Sequence, residues 1–265
     1  MADFLKKVFP NVVKIDNSND LKCSAAQIDD AKEVFGINNV NASDRCLIIG
    51  ETESGQSALL FQCALSCALE GANVTFITPN KLETMPLLIE GARQPDHEVM
   101  KQVHIMYLHD RLSLLKYLSS IHTNSSLPHV ILVDKLDYYS NQPKAADKIQ
   151  IVSETCAYLL DAISFVQSKM NAERLPHTNI KCMLGASVCT SGPLDSPLLD
   201  LYQHFIPTIF QISVVSRQKS VFQIAMIEND QKKSHVINYI IGTDTIKICE
   251  DKHLQAGKNE HPVVH

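Results

Sequence analysis

Residues 45–57 read RCLIIGETESGQS, an apolar run that closes on Gly50-x-x-x-x-Gly55-Gln56-Ser57 and continues as a helix-like stretch. The spacing is that of a phosphate-binding loop, in which successive backbone N–H groups point into a concavity with a helix directly behind it, both favouring negative charge. Gly50 and Gly55 supply the backbone freedom that a Cβ would deny. Glu51, Thr52, Glu53 and Ser54 lie between them and complete the cradle. One letter is discordant. The usual pattern ends in Gly-Lys-Ser/Thr, and here Gln56 holds the lysine position. Glutamine can donate a hydrogen bond to a phosphate oxygen but brings no charge. Weak nucleotide affinity and slow hydrolysis are therefore expected, rather than automatic loss of binding.

Outward from the loop, Ser57 opens the following helix, where its hydroxyl would meet Mg²⁺. A second apolar run, Val130-Ile-Leu-Val-Asp134, ends in an acid that would reach the same ion through water. Taken alone, that run is also a buried strand ending on a polar cap. Further β-rich runs occupy 73–78, 103–108 and 180–186, with helix-like stretches at 57–70, 111–122 and 146–171 between them. The strands are continuous apolar runs, as required when helices cover both faces of a sheet. This βαβ rhythm predicts an α/β fold with a mostly parallel, doubly wound sheet. After residue 205 the runs 207–215, 220–228 and 235–248 are separated by short polar turns and read as added antiparallel strands.

The organisation expected is an N-terminal extension over 1–44 with one helix at 24–35, a core over 45–250 and a tail over 251–265. The 265 residues are 45% hydrophobic and 20% charged, an ordinary globular balance. A net charge of −5 argues against coating nucleic acid by bulk electrostatics. No apolar run reaches the length of a membrane span, and the N-terminus lacks a signal-peptide core, so an intracellular protein with no membrane partner is expected. The eight cysteines show no CxxC pair and no zinc spacing, and read as small core residues.

Residues 57–86, SALLFQCALSCALEGANVTFITPNKLETMP, resemble the corresponding stretch of the RecA-like ATPase subunit of the animal Shu complex, the recombination partner of a SWIM-domain zinc protein. HVILVDKLDYY (129–139) and YQHFIPTIFQIS (202–213) resemble its acid-bearing strand and its entry into the late strands. The similarity spans about residues 45–215. It implies a RecA-like P-loop NTPase core using ATP and Mg²⁺ with weak hydrolysis. It also implies nuclear localisation, binding to single-stranded DNA, a heterodimer with a SWIM-domain protein and support of a recombinase filament. The family carries the loop lysine, so Gln56 bears on hydrolysis more than on fold.

RecA-type enzymes place a catalytic glutamate after the second strand, where Glu83 is the nearest candidate; its alternative is a solvated loop carboxylate. Their DNA-contacting loops correspond to 137–150 and 188–203. The first offers Tyr138 and Tyr139 for stacking on bases, with Lys144 and Lys148 for phosphates, unless the tyrosines simply pack on the core. The second has no Lys or Arg, so DNA binding by this chain alone should be modest. Arg217 and Lys219 lie in a late turn that RecA-like neighbours can use to reach a shared nucleotide, although an exposed basic turn is the commoner explanation. Phe61 and Ala64 match a recombinase docking pattern but sit on the helix behind the loop, where Phe61 reads as core. The competing function is a degenerate P-loop scaffold that binds no nucleotide and acts through protein contacts alone.

Overall fold

Period-two burial along the central strands explains the architecture. In β1 (Arg45–Glu51), Cys46 and Ile48 enter one apolar cluster while Leu47 and Ile49 enter another. β5 (Val130–Val133) divides in the same way, Val130 and Leu132 against Ile131 and Val133. Each strand is buried on both faces, which accounts for its continuous apolar sequence.

The computed structural model describes residues 2–9, 44–124, 126–140, 148–172, 182–191, 196–227 and 233–249. The described elements, numbered along the chain, begin with α1 (Ala2–Val8), β1, α2 (Gln56–Leu69), β2 (Val74–Thr78), β3 (Leu88–Ile89), α3 (His97–Lys101), β4 (Val103–Tyr107) and α4 (Arg111–Ser119). After β5 come α5 (Lys148–Ala172), β6 (Met183–Thr190), α6 (Ser196–Phe205), β7 (Thr208–Ser216), β8 (Val221–Ile227), β9 (Lys233–Ile241) and β10 (Thr245–Ile248). One ten-stranded sheet runs in the order β3-β10-β9-β8-β7-β1-β6-β5-β2-β4. From β7 to β4 all neighbours are parallel; β8, β9 and β10 continue the sheet antiparallel. β1 therefore lies centrally, with β6 and β7 on either side. The expected α/β fold, parallel core and antiparallel C-terminal strands are all present.

α1 and α2 cover one face; α4, α5 and α6 cover the other. α2 is buried along most of its length, including Leu59, Leu60, Phe61 and Leu65. By length and hydropathy α5 could cross a bilayer, but Val152, Cys156, Leu159 and Val166 are buried in the second cluster, as in the core helix of a globular fold. Cys46, Cys63, Cys67, Cys156 and Cys182 are also buried, in keeping with their core reading.

Several elements depart from the sequence expectation. The start of the chain is not merely a polar extension: Phe4, Val8 and Phe9 are buried, with Phe4 stacked on Phe210 at 5.2 Å. The run 235–248 is a hairpin, β9 and β10, turned at 242–244 and closed by the Gly242 N–H on the Thr245 carbonyl at 2.9 Å. The helix expected to reach residue 122 ends at Ser119 and is followed by a short 3-10 turn over Ile121–Thr123. The strand expected at 180–186 is Met183–Thr190. Part of the second candidate DNA loop is helix α6, with Pro197 in its first turn, where a missing N–H costs nothing. The helix expected at 24–35 lies outside the described residues.

Candidate functional site

Because β1 is central and parallel to β6, the loop after it opens at the C-terminal edge of the sheet, with Gly50 level with Cys189. The turn is built on two left-handed residues, Glu53 (φ 66°) and Gly55 (φ 89°). The Gly55 carbonyl then accepts the Leu59 N–H at 2.9 Å as the helix begins. A Cβ at Gly50 would lie 2.6 Å from Ser54 Oγ and 3.0 Å from Gln56 Nε2, so the loop closes only around a bare backbone. Ser54 is fully buried, and its Oγ lacks a hydrogen-bond partner among the described residues. An orphaned hydroxyl inside a loop of this shape fits an oxygen-bearing ligand.

Behind the loop, Tyr239 on β9 donates its hydroxyl to the Ser54 carbonyl at 2.6 Å, its ring stacked on Phe222. Burial pushes the Tyr239 phenol well above its usual range, keeping it a donor. Ile241 would meet a Cβ at Gly55 from the same side. The late strands thus form the back wall of the loop.

The serine and the acid expected at a magnesium site meet in front of the loop. Ser57 Oγ donates to Asp134 Oδ1 at 2.7 Å, across 77 residues of sequence. Ser187 Oγ donates to the same oxygen at 2.7 Å, and Thr78 Oγ1 reaches Oδ2 at 3.3 Å. Asp134 is 2% exposed, aimed by hydroxyls from three other elements. Ser57 and Asp134 are the residues that would hold Mg²⁺. Thr78 and Ser187 were not singled out in the sequence; the signal available was a polar residue within or closing an otherwise apolar strand.

Gln56 is 5% exposed, its amide lying over Gly50 and donating to Cys189 Sγ at 3.7 Å. Cys189 Sγ also lies 3.9 Å from Thr52 Oγ1, and its N–H donates to Asp137 Oδ1 at 2.7 Å. Burial raises the Asp137 carboxyl, partly countered by that N–H. Glu51 is ion-paired with Arg217 from the β7–β8 turn.

The remaining candidates lie apart from the loop. Glu83 is exposed in the segment after β2 and makes no hydrogen bond to residues 50–57 among those described. Tyr138 is 43% exposed and donates to the His109 carbonyl at 3.2 Å. Tyr139 corrects the stacking expectation: it is 1% exposed and donates to the Leu108 carbonyl at 2.9 Å, so no ring face is open to a base. Lys148 is exposed at the start of α5, and Lys144 lies outside the described residues. Phe61 is core, edge-on to Phe76 at 5.4 Å.

No family model matches the chain. Over 165 residues it is 30% identical to the mouse ATPase SWSAP1, covering 61% of this chain and 55% of the mouse protein. Among solved structures, the RadB recombinase superposes with a TM-score of 0.51 at 14% identity, covering 83% of this chain and 96% of RadB. The flagellar accessory protein FlaH of Methanocaldococcus jannaschii gives 0.54 at 11%, with 83% and 95% covered. A DnaB-like replicative helicase gives 0.51 at 9%, with 93% and 74% covered. At these identities the structures show the fold, and the mouse protein supplies the sequence relationship. By fold the chain is RecA-like, and in sequence it is similar to the mouse ATPase SWSAP1, of which it spans about half the length.

Proposed function

We propose that this chain is a recombinase-paralogue subunit of a Shu-type complex, supporting homologous recombination in the nucleus. It pairs with a SWIM-domain zinc protein, binds Mg²⁺-ATP weakly and contacts single-stranded DNA together with that partner. The observation that carries the nucleotide part is the Ser57–Asp134 bond at 2.7 Å, which joins the loop serine to the acid of β5 in the arrangement a magnesium ion requires. Bound Mg²⁺ would neutralise phosphate charge. The loop amides would orient the phosphates, and the Ser54 hydroxyl would gain the partner it lacks. For DNA the supporting surface is small: Tyr138 is the exposed aromatic of its loop and Lys148 is a nearby cation.

Fluorescent ATP titrated against the purified chain, with and without Mg²⁺, tests the nucleotide part. Weak binding that requires Mg²⁺ is expected, and Gln56→Lys should tighten it by roughly tenfold or more. The scaffold reading is favoured by the buried, uncharged Gln56 amide, which is already engaged with Cys189. It predicts no binding by wild type and rescue by lysine. The DNA part fails if the complex with its SWIM-domain partner shows no preference for single strands over duplex.

A further inference from the structure

A polyphosphate in this loop would face two carboxylates, Glu51 and Glu53, with the neutral Gln56 where a cation usually stands. With no charge at position 56, a cation facing the phosphates has to come from elsewhere in the chain. Arg217 is close, but its guanidinium is held by Glu51. Lys135 is different. Among the described residues its ammonium has no ion-pair partner.

The sheet brings Lys135 to the loop. β5, β6 and β1 run parallel side by side, with Val133 level with Ala186 and Ala186 level with Leu47. β5 ends at this level, so Asp134 and Lys135 emerge beside Ser187 and Val188, just short of Cys189 and Gly50, which still pair near the C-terminal ends of β6 and β1. The Lys135 N–H donates to Ser187 Oγ at 2.8 Å, fixing its backbone beside β6. Cys189, the next residue but one, touches Gln56 at 3.7 Å and Thr52 at 3.9 Å. Burial raises the Cys189 thiol and the Asp137 and Asp134 carboxylates add to the rise, while the Thr52 contact and the Lys135 charge oppose it, so the Lys135 ammonium acts within range of the sulfur that touches Gln56 and Thr52. β5 and β1 are two strand spacings apart, roughly 10 Å. A four-carbon lysine stem and a bound phosphate together bridge that gap.

Lys135 also adopts φ 54°, ψ 54°, a left-handed conformation that disfavours side chains and that clusters at functional sites. We infer that Lys135 is the phosphate-directed cation of this site, supplied from the end of β5 in place of the lysine that position 56 lacks. This rests on the nucleotide-binding reading above.

Two neutral substitutions that tolerate left-handed backbone, Lys135→Asn and Lys135→Gly, are compared with Lys135→Arg. Each full-length variant is titrated with mant-ATP and mant-AMP in Mg²⁺, with thermal melts to confirm folding. Both neutral variants should bind mant-ATP about tenfold or more weakly, while the arginine variant stays within roughly threefold of wild type. Binding of mant-AMP, which lacks the distal phosphates, should not change. Adding Gln56→Lys to Lys135→Asn should restore mant-ATP affinity. Wild-type affinity in both folded neutral variants overturns the assignment, as does a loss confined to Arg217→Ala. If wild type binds no mant-ATP, the nucleotide reading and Lys135's role fall together; if it binds and the neutral variants match it, only the latter falls.

Discussion

Asp134 concentrates more of the site than any other side chain, because hydroxyls from α2, β2 and β6 all converge on its two oxygens. Asp134→Ala leaves Ser57, Ser187 and Thr78 without their acceptor in a buried pocket. Urea denaturation should show a loss of about 2–3 kcal/mol, and nucleotide binding should no longer respond to Mg²⁺. Asp137 carries a pH signature of opposite sense to a salt-bridged acid. Its carboxyl is raised by burial, so the folded state holds the proton more tightly than the unfolded chain does. Stability from this group is therefore fully present at acid pH and falls as pH rises through the folded-state pKa. Asp137→Asn keeps an oxygen for the Cys189 N–H and removes the buried charge. Its stability relative to wild type should increase between acid and neutral pH, read from urea midpoints at each pH.

At the scale of elements, α1 is the part whose importance the composition conceals. Phe4, Val8 and Phe9 enter the same cluster as α2, with Phe9 6.4 Å from the Tyr239 ring. Phe4→Ala should cost about 3 kcal/mol of unfolding free energy. It should also speed maleimide labelling of Cys63 and Cys67, which lie on α2 beneath α1 beside the Lys7 ammonium. β1, α2, β2, β4 and β5 were legible because long apolar runs between turn residues have few alternatives. α1 was not, since seven helical residues with two lysines look like a solvated terminus until a partner surface is known. β3 was equally hidden: a two-residue strand exists only because β10 lies beside it. For the site, Ser57 and Asp134 could be read from local pattern. Thr78 and Ser187 stand out locally only as polar residues in apolar strands, and their convergence on Asp134, like the reach of Tyr239 to Ser54, arises from strand register across the sheet.

For the molecule as a whole, the antiparallel wing does more than widen the sheet. The Tyr239 hydroxyl and the Ile241 and Ile246 side chains support the rear of the loop, so strands late in the sequence set the shape of residues 50–57. Tyr239→Phe keeps the ring between Phe9 and Phe222 and removes only the bond to the Ser54 carbonyl. A loss of about 1 kcal/mol is expected, with faster amide hydrogen exchange at Ser54 and Gly55 than in wild type. Unchanged exchange there would mean that the loop holds its shape without the tyrosine.

That bond has a consequence in time. Ser54 and Tyr239 are 185 residues apart in the chain. At ordinary translation rates of about 5–20 residues per second, roughly 10–40 seconds separate their emergence from the ribosome. During that interval the loop, α2 and the first strands are already exposed to the cell, while the wing that completes the cradle has yet to be made. A nascent chain of this protein therefore cannot close residues 50–57 against their back wall until Tyr239 has been made.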